Sequence, residues 1–291
     1  MPTIIEAATT VRGGWRSHRS GLRLADRAGR RSLERAGRRP GDVDLLVNAG
    51  LYHDRNLGEP ALAPLIQQDM GVNPADPFPA GKGTFSFDVA NGSCGVLTGL
   101  EIVDGFLRSG TISTALIVAS DADPGHGLAP SFPFSPAGGA VVCRWSDDGP
   151  GLGPFAWCNH DDGGESFRST VRFEHGRNVL AVQRSADYPD RLADAAADAA
   201  GRVMQVEGLP AGSVDLVLLA PGGPGVAERV AAKTGIPPAR FVTAPPGLHT
   251  VGLIAVVEEV RYRDRPGAAV LTTLLVAAGA GITAGAAVYR L

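Results

Sequence analysis

Short apolar runs alternate along this chain with stretches whose apolar residues recur every three or four positions. The first pattern predicts strands and the second helices. Residues 3–9 read as a first strand, and residues 21–36 as a helix with Leu22, Ala25, Ala28, Leu33 and Ala36 on its apolar face. Asp44 to Ala49 reads as a buried strand, residues 61–70 as a short helix, and the β-rich run ending at Asp88 as another strand. Val96, Leu100, Val103 and Leu107 then fall at helical spacing, followed by strands at 115–119 and 138–143. The connections are polar or rich in Gly and Pro: 51–60 with Tyr52, His53 and Asp54, then 72–84, then the long loop 123–136. Alternating short strands and helices define an α/β chain.

The pattern repeats. Ala36 to Val47 resembles Val206 to Val217: a helix ends, a Gly/Pro turn follows, and Val-Asp-Leu opens a strand. Ala137 to Val142 likewise resembles Ala284 to Tyr289. Two similar halves in the same order predict an internal duplication, divided here as residues 1–150 and 151–291. Such a chain brings its two equivalent strand-to-helix turns together near a pseudo-twofold axis. The first turn holds Asn91, Gly92, Ser93 and Cys94. The second runs from Pro245 to Gly252 and holds His249.

That pairing gives the first turn a chemical reading. A sharp strand-to-helix turn can expose a nucleophile, and a helix N-terminus stabilises negative charge beside it. A hydroxyl or thiol in one turn and an imidazole in the other make a nucleophile–base pair. The plainer alternative is a capped helix, with Ser93 as N-cap and Cys94 as a small buried residue.

Composition narrows the partners. The chain has 291 residues and a formal charge of −3, which makes no general case for nucleic-acid binding. No apolar run is long enough to span a bilayer, and residues 268–280 read as a buried strand plus a glycine loop. Three cysteines, Cys94, Cys143 and Cys158, lack the spacing of a disulfide framework, and no zinc-binding pattern is present. The start of the chain lacks a signal-peptide pattern, so cytoplasm is expected. Arg19, Arg23, Arg27, Arg31 and Arg35 recur every four residues; a solvated helix face is the simpler reading, docking of an acidic partner the sharper one. His53, His126, His160 and His175 fall in loop-like sequence and are expected at the surface. His126 is also a candidate to line a pocket with Phe132 and Phe134.

Several stretches resemble the β-ketoacyl-carrier-protein synthase III family over roughly residues 20–291. They are Phe87-Asp88-Val89-Ala90 with Gly95, the helix end Arg108-Ser109-Gly110, Phe134 to Val142, and the glycine loop Gly279 to Gly285. The resemblance implies the thiolase fold, with duplicated α-β-α-β-α layers and pseudo-twofold halves, and a homodimer. In register with Asp88 and Gly95, the family's nucleophilic cysteine falls on Ser93, with Cys94 one place later. Its first histidine is replaced by Ala220 or Pro221, and its asparagine by His249. Decarboxylative condensation uses Cys, His and Asn together, so these departures point elsewhere. Ser93 with His249 resembles variant members of natural-product pathways that transfer acyl groups.

The resemblance therefore implies an acyltransferase. His249 would take the proton of Ser93 as it attacks an acyl thioester, and the backbone N–H groups of Ser93 and Gly281 would form the oxyanion hole. The donor would be an acyl-carrier-protein or acyl-CoA thioester; the arm that packs on CoA is hinted at only by Trp15 and Arg16. No cofactor or metal is implied. An acyl-serine ester favours transfer to an alcohol, amine or thiol over carbon–carbon bond formation. Those variant members carry an acidic residue one helical turn beyond the histidine; Ile254 stands there, so the orienting group is unassigned, and Glu258, two to three turns away, is a candidate for it. The alternatives are a condensing enzyme using Cys94, a hydrolase, and a non-catalytic thiolase-fold subunit.

Overall fold

The computed structural model describes residues 2–13, 20–53, 59–73, 83–123, 132–147, 149–223, 225–263, 270–279 and 281–291. Trp15, Arg16, Arg19, Asp54 and His126 lie outside them.

Two five-stranded mixed sheets carry the architecture. The first is built from β1 (Thr3–Arg12), β2 (Leu45–Asn48), β3 (Phe85–Asp88), β4 (Thr114–Asp121) and β5 (Ala137–Trp145), in the order β1-β5-β4-β2-β3. The second is built from β6 (Leu152–Asn159), β9 (Leu216–Ala220), β10 (Phe241–Thr243), β11 (Thr272–Gly279) and β12 (Thr283–Arg290), in the order β10-β9-β11-β12-β6. Taken from its β6 edge, the second order matches the first strand for strand. In each sheet the two pairings at the β1 or β6 end are antiparallel, and the two at the β3 or β10 end are parallel. The helices follow suit: α1 (Gly21–Ala36), α2 (Leu62–Met70) and α3 (Gly95–Arg108) in the first half, and α4 (Tyr188–Glu207), α5 (Val226–Thr234) and α6 (Gly252–Arg261) in the second. One departure from the repeat is a hairpin, β7 (Phe167–Glu174) and β8 (Arg177–Arg184), between β6 and α4.

Strand alternation explains the five layers. Successive side chains point to opposite faces. On β2 and β4, Leu45, Val47, Ala115 and Ile117 join the central core with α3 and α6, while Leu46, Leu116 and Val118 pack under α1 and α2. On β9 and β11, Leu218, Ala220, Leu275 and Ala277 face the same central core, while Val217, Leu219, Leu274 and Val276 pack under α4 and α5. Strands buried on both faces read as unbroken apolar runs, which is why the sequence shows them so plainly. The result is the duplicated α-β-α-β-α layering of the thiolase fold, with α3 and α6 between the sheets.

Gly138 shows why the Gly-Gly entry to β5 is there. A Cβ on it would stand 2.2 Å from the Leu24 carbonyl oxygen, so α1 can lie this close only over a glycine. The arginine row on α1 is divided. Arg35 pairs with Glu258 at 2.5 Å, whereas Arg23 and Arg31 are exposed. Among the described residues, no helix is long and apolar enough to cross a membrane.

Candidate active site

The two equivalent turns meet. The turn after β3 is a single 3-10 turn, Gly92–Cys94, that runs into α3. Gly92 is left-handed at φ 49°, and a Cβ on it would stand 3.5 Å from Nε2 of His249. A side chain here would crowd the space between the turns and strain the backbone as well. Ser93 and His249 line one cavity of about 220 Å³, with Phe134, Phe167, Arg184, Tyr188 and Leu192 on its walls. Both are buried.

Three elements hold His249. Asp121, at the end of β4, accepts from the backbone N–H groups of His249 (2.8 Å), Thr250 (2.9 Å) and Val251 (3.4 Å), and from the Thr250 hydroxyl (2.8 Å). These are N–H groups that a helix start leaves without intrahelical partners. Burial pushes the Asp121 carboxyl up from its ordinary value, and those donors pull against it. Phe134 stacks on the imidazole with centroids 4.3 Å apart. The Tyr52 hydroxyl lies 2.8 Å from Nδ1. Burial raises the Tyr52 hydroxyl, so it stays a phenol. With Tyr52 accepting from Nδ1–H, Nε2 presents a lone pair to the cavity; with Tyr52 donating, Nε2 presents an N–H.

Burial, and secondarily the charge of Arg184, lowers the His249 pKa to about 3. The unfolded ring, near 6.5, therefore binds a proton that the folded ring refuses. Stability falls as pH drops from about 6.5 toward about 3, because the unfolded chain is then the better proton acceptor. Thermal unfolding compared at about pH 7 and about pH 5 is expected to show a larger acid-induced loss in wild type than in His249→Gln. Equal losses would mean that the ring takes up its proton in place.

Ser93 and Cys94 differ sharply. The Ser93 hydroxyl lies in the cavity and donates to the Ala278 carbonyl at 2.7 Å. Cys94 belongs to the central core; its Sγ faces the Thr283 carbonyl at 3.4 Å, and burial pushes the thiol up to about 12. The glycine loop comes close to the Ser93 turn: a Cβ on Gly279 would stand 3.2 Å from Ser93 Oγ. Gly281 lies two residues further, at φ 72° and exposed, with open space around its Cβ position.

Glu258 is not the group that orients His249. Its carboxylate accepts from the backbone N–H of Thr10 at 2.7 Å and pairs with Arg35, tying α6 to β1 and α1. The contact to Nδ1 belongs to Tyr52, a residue that the sequence shows only as part of a polar loop. Asp88 also has a structural role, since it accepts from the N–H groups of Leu62 and Ala63 and caps α2. His53 sits 4.0 Å from Asp88, and His160 pairs with Asp198 at 3.0 Å; neither lines the cavity. His175 lies in the exposed turn of the β7–β8 hairpin. Phe134 does line the cavity, and Phe132 packs edge-on against Tyr52. Among the described residues, no cluster of His, Cys, Asp or Glu could hold a metal ion.

Duplicated layers and a site shared by two equivalent turns define a thiolase-fold protein. The fold is that of ketosynthase III enzymes. The priming β-ketosynthase of the R1128 polyketide pathway superposes with a TM-score of 0.81 at 18% identity, over 99% of this chain and 96% of that one. A Cys-to-Ser variant of Xanthomonas campestris OleA, solved with lauric acid and lauroyl-CoA, gives 0.80 at 16% identity, over 100% and 99% of the two chains. The 3-oxoacyl-(acyl carrier protein) synthase III of Pseudomonas aeruginosa gives 0.79 at 19% identity, over 100% and 98%. No family model matches the chain. No curated protein matches it in sequence.

Proposed function

We propose that the protein is an acyltransferase of the ketosynthase III type, working through an acyl-Ser93 intermediate. The observation that carries this reading is the meeting of Ser93 and His249, from equivalent turns of the two halves, in one small cavity. Ser93 Oγ attacks the carbonyl carbon of an acyl thioester, and its proton passes to Nε2 of His249. Tyr52 accepts from Nδ1–H and so holds the tautomer whose lone pair faces the cavity. The carbon–sulfur bond breaks, and the thiolate leaves with that proton. An acceptor hydroxyl, amine or thiol then attacks the ester and releases Ser93. The N–H groups of Ser93 and Gly281 are the proposed oxyanion donors. Ala220 and Pro221 stand where condensation needs a histidine, which supports transfer over decarboxylative condensation. The likeness to a polyketide priming enzyme supports a place in natural-product biosynthesis.

One observation favours a second reading, a non-catalytic thiolase-fold subunit: the Ser93 hydroxyl donates to the Ala278 carbonyl and not to His249. Intact-protein mass spectrometry after incubation with acyl-CoA and acyl-carrier thioesters separates the two. An acyl adduct supports the transferase; its release to water without an acceptor identifies a hydrolase; no adduct with any donor favours the non-catalytic subunit.

The partner in the assembly is proposed to be a second copy. β3 is the outer strand of the first sheet, and Phe85 on it is 59% exposed, resting against the ring of Phe87. An outer strand with an exposed aromatic is the kind of surface that a twofold strand pairing covers. Light scattering is expected to give a dimer for wild type and a monomer for Phe85→Lys; a monomeric wild type would refute it.

A further inference from the structure

An arginine lines the cavity. Of the described residues lining it, only Arg184 carries a charge; beside Ser93 and His249 the walls are mostly apolar, with Phe134, Phe167, Tyr188 and Leu192 among them. Its guanidinium lies 5.1 Å from the ring centroid of Phe134 and 5.8 Å from that of Phe167, which fixes its position by cation–π contacts. Several other arginines are matched with acids: Arg38 and Arg144 on Glu6, Arg290 on Glu207. Among the described residues, no carboxylate pairs with Arg184. It comes from the end of β8, in the hairpin that interrupts the repeat, so the second half carries an extra element whose last residue delivers a cation to the site.

We infer that Arg184 binds an anionic oxygen group of the donor thioester, a carboxylate at the end of a short acyl chain or a phosphate on its carrier arm, while the thioester carbonyl reaches Ser93. The inference rests on the acyl-transfer reading of the Ser93–His249 cavity. A planar guanidinium matches either oxyanion with two parallel hydrogen bonds. The described walls enclose about 220 Å³, below the roughly 300–1,000 Å³ of sites for drug-sized ligands, so the acyl chain is short. The placement also has a consequence for the base. Phe134 touches both Arg184 and His249, and the Arg184 charge contributes to suppressing protonation of His249. A bound anion would offset that charge, so His249 would accept the Ser93 proton more readily once the correct donor is seated.

Binding tests this without relying on turnover. Isothermal titration calorimetry would use the Ser93→Ala protein, which cannot be acylated at that site, with four probes: butyryl-pantetheine, succinyl-pantetheine, and the 4′-phosphate of each. The same titrations would be run on Ser93→Ala/Arg184→Gln. An anionic group seated on Arg184 is expected to tighten binding about tenfold or more, the worth of a charge-assisted hydrogen bond, and Arg184→Gln is expected to abolish the gain. A gain from succinyl over butyryl assigns the carboxylate; a gain from the 4′-phosphate on both acyl groups assigns the carrier arm. No gain from either group, or a gain that survives Arg184→Gln, overturns the inference. An Arg184-dependent gain in a protein whose wild type never acquires an acyl group would leave the anion site standing and remove the transferase reading. Arg184 is exposed, so Arg184→Gln is expected to fold as wild type does, with an unchanged unfolding temperature as the control.

Discussion

Ser93→Ala is expected to acquire no acyl group from any thioester that modifies the wild type. A nucleophile in a serine–histidine pair is worth about 10⁶-fold in rate, so the loss would be complete on the scale of a mass spectrum. The substitution is small in every other respect. It removes one hydrogen bond, from Oγ to the Ala278 carbonyl, worth about 1 kcal/mol. Unfolding temperature should therefore move little while labelling disappears. Cys94→Ala is the contrasting variant. Its thiol is pushed up to about 12 and packed in the central core, so thiolate is scarce at neutral pH and the sulfur lies away from the cavity. Cys94→Ala is expected to keep the adduct. Labelling that vanishes in Cys94→Ala and persists in Ser93→Ala would put the nucleophile one residue later and would require the start of α3 to rotate on donor binding.

Particular residues show what the sequence could reveal. The strands β2, β4, β9 and β11 were legible because burial on both faces leaves unbroken apolar runs. The paired turns were legible because the duplication repeats its punctuation, a Gly/Pro turn followed by Val-Asp-Leu, and so Ser93 and His249 could be matched across 156 positions of chain (249 − 93). The group on Nδ1 was not legible. The family resemblance calls for an acidic group one helical turn beyond His249, but Glu258 stands two to three turns along, where α6 turns it toward β1 and Thr10 and Arg35 claim it. Tyr52 sits in a loop with no periodicity, and only the meeting of the two halves carries it to His249. Arg184 was hidden for a related reason. It belongs to a hairpin that has no counterpart in the first half, so the internal repeat offered no template for it. Asp121 lies two residues past the strand read at 115–119; β4 runs on to it, and it becomes a cap only because α6 starts beside it.

That capping makes Asp121→Ala the substitution with the largest expected loss of stability, and a loss of acylation with it. The carboxylate is fully buried and holds three successive backbone N–H groups and one hydroxyl. Alanine would leave those donors in a site without a replacement acceptor. Each buried unsatisfied donor costs about 1–3 kcal/mol, so with four donors freed and the turn relaxing in part the loss is about 3–5 kcal/mol. For a chain of this size that corresponds to a fall of roughly 10 °C in unfolding temperature. Asp121→Asn separates stability from positioning. It keeps the volume and one acceptor oxygen but turns an N–H₂ toward backbone N–H groups, so the turn must shift to relieve the clash between donors. His249 is the first residue of that turn to be held by the carboxylate, and its contacts with Tyr52 and Phe134 depend on where its backbone stands. Asp121→Asn is therefore expected to stay folded, with a smaller drop in unfolding temperature than Asp121→Ala, and to acquire the acyl group at least tenfold more slowly than wild type, as a positional error near a reacting group can cost about a hundredfold. Wild-type labelling in a folded Asp121→Asn protein would show that His249 is held by its ring contacts alone, with the carboxylate serving only the stability of the helix start.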